Sequence, residues 1–394
     1  MTTQGWTADG YEGVREAFDA NFADGLEVGA AFSAYHQGAK VVDLWGGVAD
    51  VREGTPWEED SMAVVFSTTK GATAICANRL IQEGRLSAGD RVVQHWPEFG
   101  EAGKGDITVE QLLSHQAGLA WVDEPLTLEQ ALAWDPMIHA LERQAPAWEP
   151  GTAHGYHAIT FGNLVGEVVG RVTGESIGTY FRELAGDPLS LDFWIGLPEE
   201  HEHRVARLVG GIAGGGGGDG EGGDPVDEAT QAALDAFMGP DTMLGKALTA
   251  GGAFAGDGIF NTRAVHAAEV PAAAGIGDAR SIARLYAACL GEVDGVRILD
   301  DERVRDASTQ RTKGPNIVLM DLDIQFGLGF FLPSSLVTVG GPKSFGHFGA
   351  GGSVGWADPE AGLSFGYVMN RMDMGLAGDV RSTRLIDACY AAIA

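Results

Sequence analysis

The sequence predicts an α+β fold, in which an antiparallel β-sheet is flanked by helices and a mainly helical region is inserted between the two ends of the chain. Residues 29–50, GAAFSAYHQGAKVVDLWGGVAD, alternate apolar and polar side chains around a turn at His36-Gln37-Gly38 and indicate a β-hairpin. Strand-like segments return only near the end of the chain, and helical patterns dominate the middle. Strands at both ends therefore predict one sheet built from both termini.

Each further element has its own support in the sequence. A helix from about Thr68 to Glu83 ends at Gly84, a common C-terminal stop. Helical periodicity also predicts helices over residues 107–115, 159–174, 279–291 and 379–394. Late strands are predicted over residues 324–332, 352–359 and 362–370, the last two joined by an Asp-Pro-Glu-Ala-Gly turn.

This order of elements predicts the domain organisation. Residues 1–80 and 300–394 are expected to form the sheet subdomain, and residues 81–299 a mainly helical subdomain. The helical part contains residues 210–225, GGIAGGGGGDGEGGDP, whose glycine content predicts a flexible surface loop. A domain linker is the weaker alternative, because helical patterns flank this segment on both sides.

Composition excludes several classes of partner. The 394 residues are 45% hydrophobic and carry a net charge of -29, so nucleic acid and anionic membranes would be repelled. The sequence shows no signal-peptide pattern and no apolar run of the roughly 20 residues that a membrane helix needs. The three cysteines are widely spaced and indicate reduced core thiols: Cys76, Cys289 and Cys389. Together these features predict a cytoplasmic protein.

The segment VVFSTTKGATAIC suggests a nucleophile. Ser67 and Lys70 are three residues apart, so they share one helix face. Residues 71–78 carry no charge, as expected for a helix surrounded by protein, and burial lowers the pKa of a lysine. A desolvated lysine can then take the serine proton and activate the hydroxyl.

The alternative is a capped helix with a surface lysine, since serine is a favoured N-cap. Two observations favour the catalytic interpretation. The chain has only six lysines, and Ser67 is its only serine with a lysine three positions later.

Three segments extend this pair to a family resemblance. FSTTK is followed by ITVEQLLSHQAGL (107–119) and by WEPGTAHGYHAITFGNLVGEVVGRVTG (148–174). In this order they resemble the serine β-lactamase and penicillin-binding-protein superfamily, and most of all the class C β-lactamases and the family VIII carboxylesterases. The resemblance runs from roughly residue 20 to the end. It implies a β-lactamase/transpeptidase-like fold, an acyl-enzyme on Ser67 and no cofactor.

The resemblance also implies a proton relay. The Tyr-x-Asn motif of the family falls on Tyr156-His157-Ala158, which assigns the relay to Tyr156 and suggests that Tyr156 and Lys70 share one proton. Ala158 departs from the motif, because alanine lacks the carboxamide that would contact an amide substrate. This departure favours esters over β-lactams or peptides.

The third family motif, Lys/His-x-Gly on an edge strand, matches His347-Phe348-Gly349. The resemblance implies that this strand lines the acyl site, and that the N–H groups of Ala350 and Ser67 form the oxyanion hole. A solvated histidine at a strand end is the alternative for His347.

Other patterns are weaker candidates. Ser353 lies in GGSVG, a G-x-S-x-G match, but a strand and a tight turn follow where a nucleophile elbow needs a helix. Ser353 is therefore expected on the sheet surface near the site. His201 and His203 lack the H-x-x-x-H spacing of a metal site, so no metal is predicted. His115 is expected to satisfy a buried hydrogen bond.

The sequence thus predicts a metal-independent serine carboxylesterase that cleaves small, short-chain esters. A β-lactamase, a D-amino-acid peptidase or amidase, and an acyltransferase remain alternatives that use the same acyl-enzyme. A non-catalytic binding relative is the alternative from another class. Nucleic acid and membrane partners are not expected, and the oligomeric state stays open.

Overall fold

A computed structural model describes residues 3–210, 232, 235–373 and 378–394. All of the predicted glycine-rich loop except Gly210 lies outside the described residues. Within the described part of the chain, no helix is long and apolar enough to cross a membrane.

The centre of the fold is an antiparallel sheet to which both ends of the chain contribute. Its nine described strands follow the order β1-β3-β2-β12-β11-β10-β9-β8, with β4 paired to β3. A second sheet has the order β5-β7-β6. The strands are β1 (Thr3–Thr7), β2 (Gly29–His36), β3 (Ala39–Asp50), β4 (Thr55–Pro56), β5 (Ala63–Val64), β6 (Phe193–Trp194), β7 (Ile276–Gly277), β8 (Gln325–Phe326), β9 (Phe331–Leu332), β10 (Phe345–Phe348), β11 (Val354–Asp358) and β12 (Leu363–Met369).

Helices surround this sheet, and the fold is α+β as the sequence predicts. The described α-helices are α1 (Glu12–Ala23), α2 (Thr69–Gln82), α3 (Val109–Leu113), α4 (Leu128–Leu132), α5 (Asp135–Arg143), α6 (Thr160–Thr173), α7 (Ile177–Phe181), α8 (Met243–Thr249), α9 (Arg263–Ala267), α10 (Ala279–Leu290), α11 (Asp301–Ala307) and α12 (Val380–Ala392). The predicted hairpin is β2–β3, and the predicted helices at 159–174 and 279–291 are α6 and α10 within one residue at each end.

Two strand predictions near the C-terminus are wrong. Residues 324–332 do not form one strand but the short β8–β9 hairpin, because Gly327 donates its N–H to the Phe330 carbonyl at 3.0 Å and Gly329 has φ +89°. Strand β10, which carries His347, is not an edge strand. It pairs with β11 on one side and, at Gly346, with Phe331 of β9 on the other.

Helix α2 lies at the heart of the molecule. Every residue from Thr69 to Asn78 is buried, which confirms the expectation of a helix surrounded by protein. It contacts α6, α7, α11 and strand β10. The first residues of α2 are therefore held between the helical region and the sheet.

Helix α10 shows how the sheet and the helical region meet. It lies within residues 81–299 but packs across β2, β11 and β12. The helix lies so close that a Cβ atom on Gly366 would be 2.4 Å from the Ala279 carbonyl oxygen. The subdomain boundaries at residues 80 and 300 stay a prediction.

A buried ion-pair network joins the C-terminal helix to the sheet. The Arg381 guanidinium lies 3.5 Å from Glu27 and 2.5 Å from Asp379, and all three side chains are buried. Arg381 also donates to the main-chain carbonyl of Gly351 at 2.5 Å, in the turn that follows β10. The buried guanidinium of Arg381 therefore holds the turn after β10 in place.

We expect Arg381→Met to lower the free energy of unfolding by about 3–5 kcal/mol, because it leaves two buried carboxylates without their cation. Guanidinium chloride denaturation followed by circular dichroism measures the loss. Lys343→Met is the control, because Lys343 and Glu360 form an exposed pair at 2.8 Å, and it should not shift the midpoint. An unchanged midpoint in Arg381→Met would contradict the prediction.

Candidate active site

Ser67 lies in a 3-10 turn, Phe66–Thr68, that leads directly into α2. Phe66 adopts φ +45°, a left-handed conformation that is costly for an aromatic residue and that often occurs at functional sites. The turn is held from below by Ser353, whose hydroxyl donates to the Val65 carbonyl at 2.8 Å and lies 3.1 Å from Thr68 Oγ1.

Ser353 is therefore not on the sheet surface, as the sequence suggested, but fully buried. The prediction failed because Ser353 lies just before β11, where the chain folds back under the turn that carries Ser67. The Ser353 hydroxyl thus contacts the residues on both sides of the Phe66–Ser67 pair.

Lys70 follows on the first turn of α2 and is fully buried. Its Nζ lies 3.0 Å from Ser67 Oγ, and it donates to the main-chain carbonyls of Ala158 at 2.6 Å and Ala272 at 2.8 Å. Burial lowers the pKa of Lys70 well below its usual value. The structure thus brings the predicted nucleophile and the predicted base into direct contact.

Tyr156 lies beside this pair, in the loop that enters α6. Lys70 Nζ is 4.8 Å from the centre of its ring. Burial raises the pKa of Tyr156 above its usual value, and the nearby Ser67 side chain offsets only part of that effect. The phenol is therefore neutral, whereas the resemblance suggests a proton shared with Lys70.

The third family motif also reaches the site, but its histidine is not solvated. His347 is fully buried in β10, where Nδ1 donates to the Phe348 carbonyl at 2.7 Å. Burial, and to a lesser extent Lys70, lowers the pKa of His347 well below its usual range, so the ring is neutral. Its Nε2 atom has no hydrogen-bond partner among the described residues, and its ring centre is 6.1 Å from that of Tyr156.

Gly349 explains how the end of β10 approaches the turn that carries Ser67. A Cβ atom at this position would lie 2.1 Å from the Val65 carbonyl oxygen and 2.2 Å from Ser353 Oγ. Ala350 then opens a 3-10 turn, where the first N–H groups have no partner within the turn. The missing side chain at Gly349 lets this turn approach Val65 and Thr68, which flank Phe66 and Ser67.

The sequence did not predict the two carbonyl acceptors of Lys70, which belong to Ala158 and Ala272. Every residue type has a main-chain carbonyl, so no sequence signal identifies these two. The close approach of Ala272 to α6 depends on Gly162, where a Cβ atom would be 2.6 Å from the Ala272 nitrogen.

Aromatic side chains pack around the reacting groups. Phe66 contacts Phe260 with ring centres 4.9 Å apart, and Tyr156 stacks on Phe326 with centres 6.2 Å apart. His115, from the turn after α3, packs against Tyr156 at 5.2 Å. Among the described residues, no group of three or more His, Cys, Asp or Glu side chains could hold a metal ion.

Comparison with known proteins agrees with this geometry. The family model described as Beta-lactamase matches residues 18–389. Esterase/beta-lactamase LipL of Mycobacterium tuberculosis is 35% identical over 375 residues, which cover 91% of this chain and 81% of the relative.

Two solved structures extend over the whole chain. A family VIII carboxylesterase is 39% identical with a TM-score of 0.85, and a penicillin-binding protein homolog from Caulobacter crescentus is 37% identical with a TM-score of 0.85. Each alignment covers 100% of both chains. The resemblance predicted from the three motifs is confirmed, and the chain belongs to the beta-lactamase family of serine hydrolases.

Proposed function

We propose that this protein is a carboxylesterase that cleaves small, short-chain esters through an acyl-enzyme on Ser67. The observation that carries the proposal is the contact of 3.0 Å between Ser67 Oγ and a lysine amine that is removed from water. A serine hydroxyl becomes a nucleophile when a neighbouring base takes its proton, and desolvation turns lysine into such a base.

The hydrogen bonds of Lys70 support its role as that base. A neutral amine has two N–H bonds and one lone pair. The carbonyls of Ala158 and Ala272 use both N–H bonds, so the lone pair points to the remaining neighbour, the Ser67 hydroxyl. When Ser67 attacks the ester carbonyl, its proton moves to this lone pair and the resulting ammonium is bound by both carbonyls.

The N–H groups of Ser67 and Ala350 would stabilise the negative oxygen of the tetrahedral intermediate. Each belongs to a short 3-10 turn, and the close approach at Gly349 supports their convergence on one point. Removing one such donor in an enzyme typically costs about 3 kcal/mol of transition-state stabilisation. We also propose that His347 lines the acyl side of this site.

Tyr156 is proposed to complete the proton transfers. A neutral phenol beside Ser67 and Lys70 can donate its proton to the departing alkoxide and recover one from Lys70. In the second half of the reaction, Tyr156 and Lys70 would act in the opposite direction and remove a proton from the water that attacks the acyl-enzyme.

The choice of esters rests on two observations. Ala158 offers no side-chain amide to a peptide or β-lactam substrate. Both the Mycobacterium relative and the solved family VIII structure are named esterases, at identities of 35% and 39%. The relative is also named a beta-lactamase, so β-lactam hydrolysis is the second candidate.

We expect the purified protein to hydrolyse p-nitrophenyl acetate and butyrate faster than a chromogenic cephalosporin or a D-Ala-D-Ala peptide, and Ser67→Ala to abolish ester turnover. Ser353→Ala is the control, because Ser353 only supports the turn and most of the turnover should remain. Cephalosporin turnover as fast as ester turnover would favour the second candidate. An active Ser67→Ala variant would refute the nucleophile.

Lys70→Met should lower kcat for p-nitrophenyl butyrate on the order of 10³-fold, because Lys70 is the proposed base and no other amine or carboxylate among the described residues contacts Ser67. In the wild type, turnover should fall as the pH drops through the lowered pKa of Lys70, since the ammonium cannot accept a proton. Stopped-flow kinetics from acid to neutral pH measures both effects.

Lys104→Met is the matched control for this variant. Lys104 is also fully buried and donates to three carbonyls, but it lies away from Ser67. The control should lose stability and keep its kcat per folded molecule. Equal losses of kcat in the two variants would contradict a specific role for Lys70.

Tyr156→Phe should discriminate between leaving groups. An alkoxide needs a proton to depart, whereas p-nitrophenolate is a weak base and leaves without one. We therefore expect a loss on the order of 10²-fold or more with ethyl butyrate and a clearly smaller loss with p-nitrophenyl butyrate. Tyr286→Phe, which removes another buried hydroxyl, should leave both rates unchanged. Equal losses of Tyr156→Phe on both esters would exclude proton donation to the leaving group.

A further inference from the structure

One short segment, residues 155–158, carries two functional groups of the proposed mechanism. Tyr156 supplies the phenol, and Ala158 supplies a carbonyl that accepts from Lys70 at 2.6 Å. The segment lies before the first residue of α6 and outside every strand. Neither a helix nor a sheet therefore fixes its position.

Three successive N–H groups of this segment are bound by two other side chains and one carbonyl. Gly155 donates its N–H to the His115 carbonyl at 3.0 Å, and His157 donates to His115 Nδ1 at 3.1 Å. Between them, Tyr156 donates to Asn316 Oδ1 at 3.1 Å. His115 thus holds the residues on both sides of Tyr156, and Asn316 holds Tyr156 itself.

The ring of His157 strengthens the same arrangement. Its Nδ1 donates to the Gly155 carbonyl at 2.6 Å, so its Nε2 is unprotonated and accepts from the Leu119 N–H at 3.0 Å. Burial lowers the pKa of His157 to about 4, so this tautomer persists at neutral pH.

Two features of His115 are energetically unfavourable. Its backbone adopts φ +61°, which disfavours most side chains. Because Nδ1 accepts from His157, the neutral ring carries its proton on Nε2, which is buried and has no partner among the described residues. Asn316 has a similar disadvantage, since its buried Nδ2 also lacks a partner there. Both side chains present an acceptor atom to residues 155–157, and Asn316 Oδ1 also accepts from the N–H groups of Val318 and Leu319.

We propose that His115, assisted by Asn316, is a positioning residue that fixes residues 155–158 and so places the Tyr156 phenol and the Ala158 carbonyl around Ser67 and Lys70. The inference rests on the proposed function for its catalytic meaning. Its structural content, the fixed position of the phenol, can be tested without turnover.

The competing explanation is that His115 only fills space. Its ring contacts Phe161 at 4.9 Å and Phe326 at 4.4 Å, so an aromatic side chain could serve that purpose equally well. The two explanations differ in what they require. Positioning needs an acceptor at Nδ1, and packing needs a ring.

Two substitutions separate these requirements. His115→Phe keeps the ring and removes the acceptor, whereas His115→Asn removes the ring, keeps an acceptor oxygen near Nδ1 and tolerates a positive φ. We expect His115→Phe to lower kcat for p-nitrophenyl butyrate by about 10- to 100-fold with KM within about twofold, because a displaced catalytic group impairs the chemical step. His115→Asn should recover most of kcat.

A packing role predicts the opposite order, with the phenylalanine variant more active than the asparagine variant, and that result would overturn the proposal. If His115→Phe loses its cooperative thermal transition, Asn316→Asp and Asn316→Ala make the same comparison. The aspartate keeps the acceptor and should be the more active of the two. The reverse order would again overturn the proposal.

Crystal structures of the variants distinguish failure of this inference from failure of the proposed function. In the wild type, Lys70 Nζ lies 4.8 Å from the centre of the Tyr156 ring; this distance should increase in His115→Phe and be retained in His115→Asn. This outcome is independent of whether the protein hydrolyses esters. An undisplaced phenol in His115→Phe would overturn the positioning role even in an active esterase.

Discussion

The site depends on the removal of one amine from water. Lys70 can serve as a base only while solvent is excluded from it, and this exclusion requires three separate parts of the chain to meet around the start of α2. They are the loop before α6, the segment before β7 and the sheet through β10. The segment before β7 comes close because Gly275 has no side chain; a Cβ atom there would lie 2.4 Å from Thr69 Oγ1. The all-round burial of α2 is thus a requirement of the chemistry as much as of folding.

The second buried lysine shows that burial alone does not make a base. Lys104 donates to the carbonyls of Glu101, Glu142 and Gln144, so all three N–H bonds of an ammonium are used. Burial lowers the pKa of Lys104 to about 8, although the nearby carboxylates of Glu101 and Glu142 oppose the change. Lys70 instead contacts two carbonyls and one hydroxyl. Burial lowers its pKa, and no carboxylate opposes that change. The number and charge of the acceptors decide which lysine can exchange a proton.

The sequence predicted the side chains of the site better than their surroundings. Ser67 and Lys70 could be predicted as neighbours because their spacing puts them on one helix face, and the position of Tyr156 beside them followed from the family resemblance. The sheet and the helices α2, α6 and α10 followed from periodicity and from glycine stops. The carbonyls of Ala158 and Ala272 could not be predicted, because main-chain acceptors are common to all residues. The interior position of β10 was missed for a related reason, since two-residue strands such as β8 and β9 leave no period to detect.

The two serines of the site show why a motif needs its environment. Ser353 satisfies G-x-S-x-G, is fully buried and lies beneath the turn that carries Ser67. Its hydroxyl donates a hydrogen bond to the Val65 carbonyl, to which the proton cannot be transferred. Ser67 instead faces a nitrogen whose lone pair can take the proton and whose two N–H bonds are already held elsewhere. A carbonyl oxygen is far too weak a base for this transfer, whereas a desolvated amine is suited to it. The proposed nucleophile is therefore distinguished from Ser353 by the basicity of its neighbour, and a sequence pattern indicates it only when that neighbour is part of the pattern.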